Sequence, residues 1–151
     1  MHTTNEIEIM GDAALIASHI YQLAADIQDW PTLLPHYRYM RILEQSAGHK
    51  LADFGASRDG LPVKWRARQE LFPKEQRITF THVGGVTKGM WVEWRLEQRA
   101  KSVHVTIDHE LTYPVPVLGP LFARYIVGGL FVRNIANKTL RCIKAKVEAE
   151  R

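Results

Sequence analysis

The sequence predicts an α+β domain in which a seven-stranded, curved antiparallel sheet wraps around one long C-terminal helix, with two short helices after the first strand. Three observations predict it. Six alternating apolar and polar runs follow one another between residues 39 and 113, most joined by short turns, which is the pattern of an antiparallel meander. A seventh short alternating run stands near the N-terminus. The segment 115–148 repeats apolar residues at spacings of three and four, as one face of a helix does. A curved sheet has one face to bury, and only that helix is large enough to cover it.

The elements follow in order. Residues 5–10 form the first strand, with Ile7 and Ile9 on one face. Asp12 is an N-cap for the helical run AALIASHIYQLAADI, whose apolar side carries Ala14, Ile16, Ile20, Leu23 and Ile27. Asp29-Trp30-Pro31 interrupts it, and Pro31 suits the first turn of a second short helix over 32–37. The period then changes to two. Strands are expected over 39–45, 50–57, 62–72, 77–83, 88–97 and 102–113. Arg58-Asp59-Gly60, Pro73-Lys74-Glu75-Gln76 and Gly84-Gly85 separate some of them. Pro120 and Gly128-Gly129 make the start of the last segment a poor helix former, so a kink is expected there and a firm helix from about Leu130. Without a kink that helix would run roughly 50 Å.

Composition narrows the class. A chain of 151 residues is one domain, 1–151, with 46% apolar and 24% charged residues, which excludes disordered and collagen-like chains. One cysteine, Cys142, excludes a disulfide framework or a cysteine-based zinc module, and fits a reducing compartment. The N-terminus has no secretory signal and no apolar run approaches the roughly 20 residues of a membrane span, so a cytoplasmic protein without a transmembrane segment is expected. Twenty Lys and Arg against sixteen Asp and Glu give a net charge of +4, too small to choose among acidic partners.

Four stretches carry a family resemblance. DWPTLLPHY at 29–37 is similar to the DWP-x-x-x-P opening of bacterial aromatase/cyclases. KWRARQELFP at 64–73 is similar to their W-x-S-R-R-x-L-x-P strand. EWRLE at 93–97 with VTIDHEL at 105–111 resembles their late strand pair, and TLRCIKAKVE at 139–148 the end of their helix. In order and at fitting spacing, these resemble the START-like (helix-grip, SRPBCC) superfamily, in its polyketide cyclase/dehydrase and lipid-transport branch. The resemblance covers nearly the whole chain. It implies a helix-grip fold and a cavity between sheet and helix for a hydrophobic small molecule: a polyketide, a quinone or a lipid.

Alternation assigns the faces. Val63, Trp65, Ala67, Gln69 and Leu71 share the inner face of one strand, and Lys64, Arg66, Arg68 and Glu70 the outer. Met90, Val92, Trp94 and Leu96 are inner on another, as are Val103, Val105, Ile107, His109, Leu111 and Tyr113 on the last. Ile78, Phe80 and His82 share a side, and His82 reads either as one of the inner surface's few polar points, with Gln69 and His109, or, being near a strand end, as simply exposed. The expected ligand-binding residues are therefore Trp65, Ala67, Gln69, Phe80, Met90, Trp94 and His109. The resemblance adds Trp30 and Tyr37 at the cavity mouth. Aromatic walls with few polar points suit a planar ring compound.

Chemistry is less marked. The resemblance implies that an inner serine and arginine of the W-x-S-R-R strand assist ring closure, and here those positions are Ala67 and Gln69. Gln69 donates hydrogen bonds but supplies no positive charge. His109 with Tyr37 is the acid–base pair that pocket placement leaves, and with Gln69 they are the catalytic candidates. No metal-ligand motif, phosphate loop or cofactor signature is present, so neither metal nor cofactor is expected. The outer stripe Lys64, Arg66, Arg68 reads as a solvated face rather than a nucleic-acid surface. An acidic acyl carrier protein is the macromolecular partner a polyketide role would imply.

Overall fold

A computed structural model describes residues 2–58, 61–85, 87–111 and 130–150. The elements are β1 (His2–Met10), α1 (Ala13–Ala25), α2 (Trp30–Leu33), β2 (Tyr37–Ser46), β3 (His49–Arg58), β4 (Leu61–Phe72), β5 (Arg77–Gly85), β6 (Trp91–Gln98), β7 (Ser102–Glu110) and α3 (Leu130–Ala149). One turn of 3-10 helix, Ile27–Asp29, joins α1 to α2, and another, Pro73–Glu75, joins β4 to β5. The seven strands form one antiparallel sheet in the order β1-β7-β6-β5-β4-β3-β2. This is the helix-grip arrangement.

Local rules explain the boundaries. Asp12 caps α1, its carboxylate accepting from the Leu15 N–H at 3.3 Å. The second helix begins two residues and ends four residues earlier than the spacing suggests, Trp30–Leu33 instead of 32–37, and Tyr37 already belongs to β2. Pro35 is the reason. It disfavours helical backbone at the preceding residue, and Leu34 sits extended at φ −118, ψ 100. β5 runs through Gly84 to Gly85 rather than stopping at Val83. β6 begins at Trp91, because Thr87 to Gly89 form a turn in which Gly89 has φ +96. β1 reaches back to His2, and its buried Thr3 and Asn5 hid its inner face from a hydrophobic pattern. Asp59 and Gly60 of the expected turn, Tyr113, and the expected kink at Pro120 and Gly128-Gly129 lie outside the described residues.

The core lies between the concave sheet face and the helices. On α3, Val132, Ala136, Leu140, Ile143 and Val147 are buried at spacings of three and four. They share one buried core with Val103, Val105 and Ile107 of β7 and with Ile16, Ile20 and Ala24 of α1.

Candidate functional site

Six aromatic rings gather on the concave face. Trp30, brought in by α2, is central: its ring centroid lies 5.1 Å from Tyr37, 5.9 Å from Phe54, 5.8 Å from Phe80 and 6.1 Å from Trp94. Its indole N–H donates to the Leu23 carbonyl at 3.1 Å, which fixes the ring against the end of α1. A second feature runs along β3, β4 and β5. Phe54 stacks on Trp65 at 5.4 Å and 6°, and Trp65 stacks on His82 at 5.7 Å and 4°. Phe54 and Trp65 are direct partners across the β3–β4 ladder, which is why their rings meet.

These rings, with residues of α3, line a cavity of about 70 Å³ that is open on one side. Its wall includes Trp30, Tyr37, Trp65, Phe80, Met90, Trp94 and His109, so seven of the nine residues expected at a site are brought together. Ala67 and Gln69 are not on that wall. Both are buried on the inner face, but Gln69 lies under the end of α1, where its amide donates to the Ala25 carbonyl at 3.2 Å. Helix α1 covers this part of the face, so β4 alternation alone assigned Gln69 to an open space that another element fills. Trp30 and Tyr37 are 3% and 8% exposed, inside the ring cluster rather than at a mouth. Their apolar neighbours draw them in.

His82 is buried, not exposed as its place near a strand end suggested. Its Nδ1 pairs with the Thr87 hydroxyl at 2.7 Å, and its backbone bonds Met90 and Gly89 across the turn. Burial, and secondarily the neighbouring His109, depress its pKa to about 3. Burial holds His109 at about 4, with Asp108 pulling weakly the other way. Burial pushes the Tyr37 hydroxyl well above its ordinary value. At neutral pH the cavity thus presents uncharged imidazoles and an uncharged phenol. It holds hydrogen-bonding groups without charge.

Other wall residues escaped the sequence reading. Phe54 was legible in the alternation Ala52, Phe54, Ala56 on β3. Thr87 lies in a turn, where no period points to it. Thr139 follows Ile135 by one helical turn and donates to its carbonyl at 2.9 Å. His36 Nε2 stands 2.9 Å from the same hydroxyl; burial, then Lys138, lowers its pKa to about 4 against a smaller opposing effect of the Ile135 carbonyl. Among the described residues no group of three or more His, Cys, Asp or Glu is arranged for a metal ion. Among them, too, no helix is long and apolar enough to cross a membrane.

A sheet gripping a helix around an aromatic cavity defines the class of START-like, helix-grip proteins. Residues 15–137 match the family of polyketide cyclase/dehydrase and lipid transport proteins, and the chain belongs to that family. The fold is similar to that of the Zhui aromatase/cyclase of Streptomyces sp. R1128, with a TM-score of 0.80 at 18% identity over 98% of this chain and 93% of that one. It is also similar to a START superfamily protein of Mycobacterium smegmatis, with a TM-score of 0.73 at 15% identity over 99% of both chains. In sequence, the chain is 31% identical over 99 residues to the ribosome association toxin RatA of Escherichia coli K12. That match spans 64% of this chain and 62% of the relative's length.

Proposed function

We propose that the chain binds a hydrophobic, ring-containing small molecule, a polyketide, quinone or lipid-like ring compound, between the sheet and α3, and carries or transfers it. The observation that supports this is the Phe54–Trp65–His82 stack, packed against the Trp30 cluster, on the wall of a cavity with few polar atoms. Flat rings beside aliphatic side chains accept flat apolar guests. Each buried Å² of apolar guest contributes roughly 25 cal/mol before ordering costs. Partners beyond the small molecule are not needed for this reading. A cytoplasmic location fits the free thiol of Cys142. Native mass spectrometry of freshly purified protein tests for a co-purifying guest, and tryptophan fluorescence titration with ring compounds tests binding directly. A bound mass or saturable quenching is expected. A bare chain mass with no quenching by any ring compound would sink the proposal.

A second reading is a cyclase, aromatase or dehydrase acting on a poly-β-keto substrate delivered by an acidic acyl carrier protein. One observation favours it: the His109 ring and the Tyr37 phenol face the same cavity. With Ala67 and Gln69 where aromatase/cyclases carry serine and arginine, His109 and Tyr37 would have to move the protons. Incubation with a carrier-bound poly-β-keto chain decides it. A product profile unlike the spontaneous one is expected under this reading, and an unchanged profile removes it.

A further inference from the structure

We propose that His109 orients the guest by donating a hydrogen bond from Nε2 to a carbonyl oxygen, so that the cavity selects neutral ring ketones and quinones over hydrocarbons and over carboxylic acids. This rests on the cavity being a ligand site.

The polar side chains of the wall are few: the Trp30 indole, His82, Thr87 and Thr139 have partners, whereas no side-chain hydrogen bond is found among the described residues for the Tyr37 hydroxyl, the Trp65 and Trp94 indoles or His109. His82 Nδ1 and the Thr87 hydroxyl hold each other at 2.7 Å. The Thr139 hydroxyl donates to the Ile135 carbonyl at 2.9 Å and meets His36 Nε2 at 2.9 Å. His109 lines the cavity, and no hydrogen bond to its side chain is found among the described residues. A buried polar group without a partner is rare and calls for an explanation. The orphaned atom is Nδ1, which no guest can reach, so a guest would meet the ring at Nε2.

The ring's own chemistry chooses the kind of atom. Burial keeps the imidazole neutral at ordinary pH, so it carries one proton. Nδ1 is sealed from solvent and has no acceptor in reach. A buried N–H without an acceptor is rarer in folded proteins than an acceptor left short of a donor. The proton therefore belongs on Nε2, which makes His109 a neutral donor toward the cavity. A neutral donor matches a carbonyl oxygen. A carboxylate would have to lose its water among aromatic rings with no cation to meet it. A hydrocarbon would leave the N–H unmet. Register fixes where the oxygen sits: His109 is opposite Val92, and two residues further Ile107 is opposite Trp94. The guest's oxygen end points to the β6–β7 ladder while its rings lie toward Trp94, Phe80 and Trp30.

Fluorene and 9-fluorenone share a skeleton and differ by one carbonyl, and fluorene-9-carboxylic acid adds a charge. Calorimetric titration of all three into the full chain and into His109→Phe tests the assignment. In the wild type, fluorenone is expected to bind about tenfold tighter than fluorene, with the acid weakest. In His109→Phe the preference for fluorenone disappears, and in His109→Gln, whose amide still donates, part of it returns. The carbonyl stretch of bound fluorenone gives a readout that needs no variant: it moves to lower frequency than in a hydrocarbon solvent. If all three bind but the wild type shows no carbonyl preference and the stretch stays at its hydrocarbon value, the role of His109 is overturned and the cavity reading stands. If none binds, both fall.

Discussion

A Cβ added to Gly85 would stand 2.5 Å from the backbone carbonyl oxygen of Lys64 and 2.9 Å from the Cα of Trp65. Gly85 has φ +93 and faces Trp65 across the β4–β5 ladder, where the register shifts between Arg66 and Ala67. The extra residue is Val83, so the shift bends β5, and Gly85 beyond it lies against Trp65 of the cavity wall. Gly85→Ala meets backbone that cannot rotate aside, on top of a left-handed conformation. A loss of about 2–4 kcal/mol is expected. In a chain of this length that lowers the thermal midpoint by about 5–15 °C, as read by circular dichroism. An unchanged midpoint would contradict the close approach.

Trp30 holds the ring cluster together, so its loss should be felt by the fold before any ligand is present. Trp30→Ala is expected to cost about 3–5 kcal/mol, and Trp30→Phe clearly less, since it keeps a ring in place. Urea midpoints of the two variants against the parent check this. Equal midpoints for Ala and Phe would show that the contacts around Trp30 contribute little.

The buried histidines make stability depend on pH. His82 and His109 titrate at about 3 and about 4 when folded and at the ordinary 6.5 when unfolded. Between those values the unfolded chain binds protons that the folded chain refuses, so unfolding gains as pH falls. Stability is intact above the unfolded value and drops through the window below it. Each imidazole contributes up to about 1.4 kcal/mol per pH unit. Urea unfolding between about pH 7 and about pH 5 should show the drop, and His109→Phe should make it shallower. A midpoint flat across that range would mean that the imidazoles are hydrated.

Gln69 is expected to matter little to binding. Its amide supports the end of α1 and its Oε1 is buried without a partner, while Lys50 donates to the same Ala25 carbonyl at 3.3 Å. Gln69→Met removes one hydrogen bond and one unmet acceptor together, so the stability change should stay within about 1 kcal/mol. Affinity for a ring compound should change by less than about twofold. A larger loss of affinity would place Gln69 at the guest after all.

How far the sequence was legible follows from what each element needs. Strands announced themselves by alternation, and α3 by the spacing of Val132, Ala136, Leu140, Ile143 and Val147, because both patterns are set by one large buried face. Turns were read less well. Leu34 before Pro35 and Gly89 at positive φ moved two boundaries through backbone preferences that hydrophobic periodicity does not carry. On the wall, Trp65, Phe80, Trp94 and His109 were legible as inner residues of their strands. That Gln69 is hidden by α1 was not, because a strand's alternation says which face a residue takes and nothing about what lies above it. The partnership of His82 with Thr87 depends on a turn, and only the folded chain brings the two together.

Helix α3 also guards β1. The β1 strand is one margin of the sheet, yet its Met10 N–H donates to the Glu148 carboxylate at 2.9 Å, and the Lys144 ammonium donates to its Glu8 carbonyl at 2.6 Å. Asn5 adds a bond to Asn137 at 2.6 Å. Backbone groups that would otherwise recruit a foreign strand are thereby occupied. The other margin, β2, bears Tyr39 and Leu43 in the open, and its two register shifts blunt it less completely than α3 blunts β1. Crowded or partly unfolded molecules would therefore stick to one another along β2, and a lysine at Leu43 would be the economical way to keep concentrated samples dispersed.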